Sequence, residues 1–247
     1  MVKTRKSRKN FIIGKNCLRE VLESQPQRLI SIYSSHPKHD SLLQEFAKHK
    51  IYVSYVERKG LDVMAGSTSH QGYVAEVRDR APCAVEDILE AAQQKTKSIV
   101  LMLDSIFDPQ NMGAILRASE CFGADGVILS KNRGCSITST VTKTSVGASE
   151  LVPIAQVSNL ATTMQKMQQA GFWSVSAELS DKATKLSEFE YPEKTLLVLG
   201  SEGRGVQQLI SKKADFHVYI PMKGRIDSLN VSQAASVFLY HYNYCRS

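Results

Sequence analysis

Six short apolar runs spread over residues 98–247 constrain this chain more than any other feature. SIVLMLD (98–104), GVILS (126–130), LVPIAQV (151–157), FWSVSA (172–177), TLLVLG (195–200) and HVYIP (217–221) carry almost no polar alternation. A strand with one wet face alternates, whereas a strand buried on both faces does not. Helical spacing is predicted between the runs, over 113–122, 138–148, 159–170, 206–213 and 231–242. Strands alternating with helices predict an α/β domain whose parallel sheet is covered on both faces.

The first third reads differently. Residues 14–24 place Cys17, Leu18, Val21 and Leu22 on one helical face, and HDSLLQEFAKH does the same with Leu42, Leu43, Phe46 and Ala47. RLISIY (28–33), IYVSYV (51–56) and GYVAEVR (72–78) are strand-like, with a short helix near Leu61–Met64. The expected organisation is a basic tail (1–10), a small α/β domain (11–80), a polar connector (81–97) with one short Ile88, Leu89, Ala92 helix face, and the larger domain (98–247).

Charge follows this division. Residues 1–80 hold 15 Lys and Arg against 8 Asp and Glu, while the rest of the chain holds 16 of each. The whole excess of +7 therefore lies in the first third, as expected of a polyanion-binding element beside a neutral domain. Five of those cations precede Asn10, in a stretch without apolar periodicity that is expected to stay disordered until a polyanion arrives, with a solubilising tail as the alternative. No apolar run approaches the roughly 18–20 residues of a membrane span, and no apolar segment follows the basic N-terminus as in a secretory signal. An intracellular, cytoplasmic protein is expected. The cysteines Cys17, Cys83, Cys121, Cys135 and Cys245 are scattered, without CxxC spacing or neighbouring His, so free thiols and no metal site are expected.

Three segments at strand ends have compositions that packing alone does not require. In DSIFDPQNMGAILRASECFG (104–123) the turn-rich approach to a helix carries Asn111 and then Arg117. An Asn at a turn is commonly a cap and a helical Arg is commonly solvated, yet together they make a polar cluster where open α/β sheets bind ligands. In LVLGSEGRGV (197–206) three glycines and Glu202 interrupt a buried strand. The spacing is neither a Walker loop nor GxGxxG, which favours a loop holding an adenosine against its backbone over a phosphate cradle, with a plain strand turn as the bland alternative. In YIPMKGRIDSLNVSQAASVFLY (219–240) Ser228 and Asn230 bracket Leu229 at the entrance of the last helix. Both are good N-caps, one more than the helix needs.

In this order, DPQNMGAILRASECFGADGVIL, LVLGSEGRGV and IPMKGRIDSLNVSQAA resemble the three motifs of the SpoU (TrmH-type) ribose methyltransferases of the SPOUT superfamily, and HQGYVAEV (70–77) resembles the end of the L30e-like substrate-binding domain of RlmB-type members. The resemblance implies a SPOUT domain with a deep trefoil knot and an S-adenosylmethionine site formed by the knot loops. It places the cofactor against Gly200, Gly203, Ile220, Met222 and Leu229, and catalytic or substrate-orienting roles on Asn111, Arg117, Glu202, Ser228 and Asn230. It also implies an obligate homodimer, for which the C-terminal helix (Val237, Phe238, Tyr240, Tyr242) offers a face to bury.

The implied activity is 2′-O-methylation of RNA, first of all on a guanosine of large-subunit (23S-type) rRNA, without a metal. Transfer RNA is the alternative substrate, and a non-catalytic L30e-like RNA-binding protein the alternative class, against which the intact set of five residues argues. A guanidinium rarely gives up its proton, so Arg117 is ranked first as a phosphate grip and alkoxide stabiliser and second as a base; Glu202 is either base or holder.

Overall fold

The computed structural model describes residues 10–78, 80, 83–201 and 203–245. The basic tail up to Lys9 and Glu202 therefore lie outside the described residues. The chain divides into two compact units, one of residues 1–81 with 146–151, the other of residues 82–145 with 152–247.

The smaller unit contains β1 (Asn10–Ile13), α1 (Lys15–Ser24), β2 (Leu29–Ser34), α2 (Ser41–Lys48), β3 (Tyr52–Tyr55), α3 (Arg58–Ala65) and β4 (Tyr73–Val77). Its sheet runs β1-β4-β2-β3, with β2 and β3 parallel and β4 antiparallel to both its neighbours. The amphipathic spacing dictates the packing: Cys17, Leu18, Val21 and Leu22 of α1 and Leu42, Leu43 and Phe46 of α2 are buried against Ile32, Ala75 and Val77 of the sheet. Asp40 starts α2 by accepting from the amides of Leu42 and Leu43 at 3.1 and 3.2 Å, which satisfies two of the unpaired donors of the first turn.

The HQG turn before β4 is a framework of its own. Buried His70 accepts the Gly72 amide on Nδ1 at 2.9 Å and donates from Nε2 to Asp62 at 2.9 Å. Gln71, at φ 54°, accepts the Lys15 amide at the start of α1 on its Oε1. At Gly72 a Cβ would lie 2.4 Å from His36, so a side chain has no room.

The larger unit contains α4 (Val85–Gln93), β5 (Ser98–Asp104), α5 (Pro109–Cys121), β6 (Gly126–Ser130), α6 (Ser139–Thr144), β7 (Ile154–Val157), α8 (Leu160–Gln169), β8 (Trp173–Ala177), β9 (Thr184–Lys185), β10 (Lys194–Gly200), α9 (Gln208–Ser211), β11 (Phe216–Tyr219) and α10 (Val231–Tyr244), while α7 (Ala148–Leu151) belongs to the smaller unit. Its sheet runs β7-β6-β5-β10-β8-β11-β9 with every pair parallel. Along β5, Ile99, Leu101 and Leu103 enter one core and Val100 and Met102 the other, and β10 divides Leu197 and Leu199 from Leu196 and Val198 in the same way. Both faces are covered, which explains the unbroken apolar runs.

Four expectations are corrected. The segment read as a connector carries α4, whose Ile88, Leu89 and Ala92 are buried in the larger unit's second core. The helix predicted over 138–148 ends at Thr144, because Val146 and Gly147 take positive φ and the chain leaves to enter the smaller unit as α7. There a Cβ on Gly147 would lie 2.6 Å from Cys17 Sγ, and Glu150 pairs with Arg28 at 2.6 Å, both side chains under 10% exposed. The helix predicted over 206–213 shrinks to α9, since the loop before it folds back on the sheet. Finally, Phe238 and Tyr242 lie in the larger unit's own core, and the outward face of α10 carries Val237, Tyr240 and Tyr244, at 38%, 52% and 68% exposure.

Candidate active site

The sheet order reverses at β5 and β10: from β5 the chain winds outward through β6 and β7, and on the other side through β8 and β11. Ligands of open α/β sheets bind beyond the carboxyl ends of the strands at such a switch point. Here those ends are Asp104 and Gly200, register partners in adjacent strands.

Beyond Gly200 the chain doubles back. The Gly205 amide donates to the Ser201 carbonyl at 2.9 Å, and a Cβ on Gly200 would lie 2.1 Å from the Gly205 carbonyl carbon. Only glycine fits where this backbone rests on Gly200. Gly203 and Gly205 supply left-handed corners, with φ of 79° and 66°. Gly200 and Gly203, both assigned to the cofactor, are thus requirements of the loop itself.

α5 starts about one turn earlier than its sequence reading, at Pro109 and not at Gly113, and so takes in Asn111. Asp108 caps α5, accepting the Gln110 amide at 3.0 Å, and Pro109 fills the first helical position, so Asn111 is in the first turn of the helix. Asn230 caps α10, its Oδ1 accepting the Ser232 amide at 2.9 Å, while its Nδ2 donates to Asn111 Oδ1 at 2.9 Å. The first and third motifs are thereby joined across 119 residues of sequence. Close packing holds α5 in place, since at Gly113 a Cβ would lie 1.9 Å from Thr144 Oγ1.

Arg117 sits six residues along α5 from Asn111, about 120° around the helix. It is exposed, and among the described residues its side chain makes no hydrogen bond or ion pair. Ser228 is exposed and donates to Asp227 Oδ1 at 3.2 Å. Ile220 is half-buried against the core, Met222 half-buried, and Leu229 is 37% exposed. From Met222 to Leu229 no backbone amide is bonded to another backbone group among the described residues. Apolar side chains beside available amide donors suit a flat heteroaromatic ligand, with ring faces on the former and ring heteroatoms on the latter.

Three residues escaped the sequence reading. Asp104 is fully buried and accepts from the Gln207 amide at 2.7 Å, the Gln207 side chain and Ser105 Oγ; Gln207 Oε1 in turn accepts from Arg133 Nη1. The only signal in the sequence was an acid ending an otherwise apolar strand. At Cys135, on the loop after β6, burial and then the charge of Asp108 push the thiol pKa up.

A parallel α/β unit with polar loops gathered at its switch point, together with a small mixed-sheet unit, has the architecture of an α/β ligand-binding protein with an accessory domain. The model of the SpoU rRNA Methylase family matches residues 98–240, and that of the RNA 2′-O ribose methyltransferase substrate-binding domain matches residues 11–82. YacO of Bacillus subtilis, named for the TrmH family of tRNA/rRNA methyltransferases, is 35% identical over 239 residues, 94% of either chain. The AdoMet-bound rRNA methyltransferase of Sinorhizobium meliloti superposes with a TM-score of 0.77 at 20% identity, over 96% of this chain and 87% of that one. The SpoU methyltransferase AviRb of Streptomyces viridochromogenes, crystallised with AdoMet, gives 0.75 at 20% identity, over 96% and 90%. The chain belongs to the TrmH/SpoU family of RNA methyltransferases.

Proposed function

We propose that this protein transfers the methyl group of S-adenosylmethionine to a ribose 2′-hydroxyl of RNA, on a guanosine of large-subunit rRNA, as an RlmB-type member of its family. The observation that carries this reading is the Asn230–Asn111 hydrogen bond, which ties the third motif to the first at the carboxyl end of the sheet. The substrate-binding family match over residues 11–82 supports RNA as the second substrate.

The residues fit the cofactor. Ile220, Met222 and Leu229 would hold the adenine between apolar faces, the amides of 222–229 would meet its ring nitrogens, and the loop from Gly200 to Gly205 would close over the rest. When bound, S-adenosylmethionine supplies a methyl group open to in-line displacement by the ribose oxygen. The protein then has to align that oxygen and stabilise it as its proton leaves. Arg117, exposed and without an internal partner among the described residues, grips the phosphate beside the target ribose and steadies the developing alkoxide. Ser228 and Asn111 orient the 2′-hydroxyl, and Asn230 fixes Asn111. Glu202 is proposed as holder or base from the resemblance alone.

The exposed Val237, Tyr240 and Tyr244 stripe on α10 supports a homodimer. The place of β10 between β5 and β8, both earlier in the chain, fits the knotted topology of the family. Among the described residues no helix is long and apolar enough to cross a membrane, and a cytoplasmic location follows from the proposed substrate.

The test is transfer of a tritiated methyl group from S-adenosylmethionine to protein-free large-subunit rRNA and, separately, to transfer RNA. Label in the rRNA is expected; label confined to transfer RNA would move the substrate to the other RNA class, and no label in either would overturn the activity.

A further inference from the structure

We propose that Arg133 is a phosphate-gripping residue for the RNA strand, held ready by Asp104 through Gln207; the proposal rests on the RNA methyltransferase reading above. Asp104 ends β5, Arg133 lies on the loop that follows β6 and Gln207 at the end of the loop that follows β10, and these three strands are neighbours in the sheet. Asp104, fully buried at the end of the middle strand, takes both the backbone amide and the side-chain amide of Gln207. With its NH2 committed to the carboxylate, the Gln207 side chain can present only its oxygen to the other side, and there it accepts from Arg133 Nη1. A buried charge thus sets an amide, and the amide sets a guanidinium.

The loop that carries Arg133 is fixed as well. Ser130 Oγ accepts the amides of Asn132 and Arg133 at 3.3 and 3.1 Å, and the far end is pinned where the Cys135 amide donates to the Ile106 carbonyl at 2.7 Å. Gly134, at φ 146°, lies so close to that carbonyl that a Cβ would come within 3.1 Å of its oxygen. Yet the side chain so held is exposed, two residues along the chain from exposed Lys131. A guanidinium has five N–H donors in a rigid fork and Gln207 occupies one nitrogen; the remaining edge matches the two oxygens of a phosphate. Loop bracing alone does not call for an exposed, pre-aimed fork at the end of the sheet where the ribose is bound. An RNA backbone supplies phosphates on either side of that ribose, and a side chain already ordered loses less entropy on binding one.

The experiment measures equilibrium binding of protein-free large-subunit rRNA to the full chain at several salt concentrations, with S-adenosylmethionine affinity and methyl transfer measured alongside. Arg133→Ala is expected to weaken RNA binding about ten-fold and to reduce the slope of log affinity against log salt by about one, with cofactor affinity unchanged within two-fold. Arg133→Lys should keep the salt slope and still lose affinity, because an ammonium carries the charge without the fork. Gln207→Met, which removes the positioning oxygen and leaves Arg133 in place, should raise KM for RNA more than it lowers kcat. Unchanged RNA affinity and slope in Arg133→Ala, or a matching loss of cofactor affinity, would overturn the proposal while wild-type methyl transfer left the enzymatic reading standing. A wild-type protein that binds no RNA would overturn both.

Discussion

Asn230 donates to Asn111 at 2.9 Å while its own Oδ1 caps α10. One side chain therefore does two jobs with two different atoms, and a substitution can separate them. Asn230→Asp keeps the capping oxygen and replaces the Nδ2 donor by a second oxygen. Asp and Asn cap equally well, so thermal stability should stay within about 1 kcal/mol of wild type, whereas methyl transfer should fall at least ten-fold. Asn230→Ala should lose both the activity and roughly 1 kcal/mol of stability. Melting curves and initial rates measured together decide it; full activity in Asn230→Asp would remove the Asn111 bond from the mechanism.

Arg117→Ala should abolish methyl transfer and leave cofactor affinity within a few-fold. Arg117 has no internal partner among the described residues, so its loss removes a contact to RNA and disturbs little else. Calorimetric titration with S-adenosylmethionine checks this, and comparable loss of cofactor binding in a folded variant would contradict the assigned role.

Gly200→Ala should unfold the loop before it touches any ligand. The added Cβ would meet backbone 2.1 Å away, which no rotamer can relieve. Gly203→Ala adds a Cβ into open space and incurs only the strain of its positive φ, about 1–2 kcal/mol. Limited proteolysis across 200–206 should thus detect Gly200→Ala strongly and Gly203→Ala weakly. The reverse order would mean that the loop's packing on Gly200 has been misread.

Arg28 and Glu150 form a buried pair in the smaller unit, with Arg28 also donating to the Arg78 carbonyl. Removing one partner of such a pair strands the other, so Glu150→Ala should destabilise that unit by about 3–5 kcal/mol. The double variant Arg28→Met, Glu150→Leu should recover much of this. Denaturant unfolding followed in that unit is the measurement, and additive losses in the double variant would argue against a coupled pair.

Cys17 gives the pH dependence. Burial, and then the charge of Glu150, push its thiol up to about 12 from 9.0. The folded state holds this proton more tightly than the unfolded chain. Its contribution to stability is complete below pH 9 and drains away as pH rises towards 12. The smaller unit should lose stability over that range, and Cys17→Ala should flatten the loss. At pH 8 the exposed Cys121 and Cys245 should react with a thiol reagent at once and Cys17 only on unfolding.

These residues also show what could be read in advance. The parallel sheet was legible because strands buried on both faces leave unbroken apolar runs, and β5 with Leu101 and Met102 in opposite cores is the physical counterpart. Asn111 was legible as a candidate through its grouping with Arg117 at a strand end, and Asn230 because it and Ser228 exceed what one helix needs as caps, but their bond was not, because periodicity says nothing about partners 119 residues apart. The excursion of 146–151 into the smaller unit was invisible: TSVGASEL is helix-compatible, and what breaks it is packing against Cys17 from 130 residues away. Asp104, Gln207 and Arg133 were missed for the same reason, being unremarkable one by one.

The central claim is methylation of a ribose oxygen, and alkaline hydrolysis of RNA labelled by this enzyme tests it most directly. Alkaline cleavage needs a free 2′-hydroxyl, so the label should appear in alkali-resistant dinucleotides, with guanosine on their 5′ side. Label released as mononucleotides would place the methyl group on a base and contradict the account.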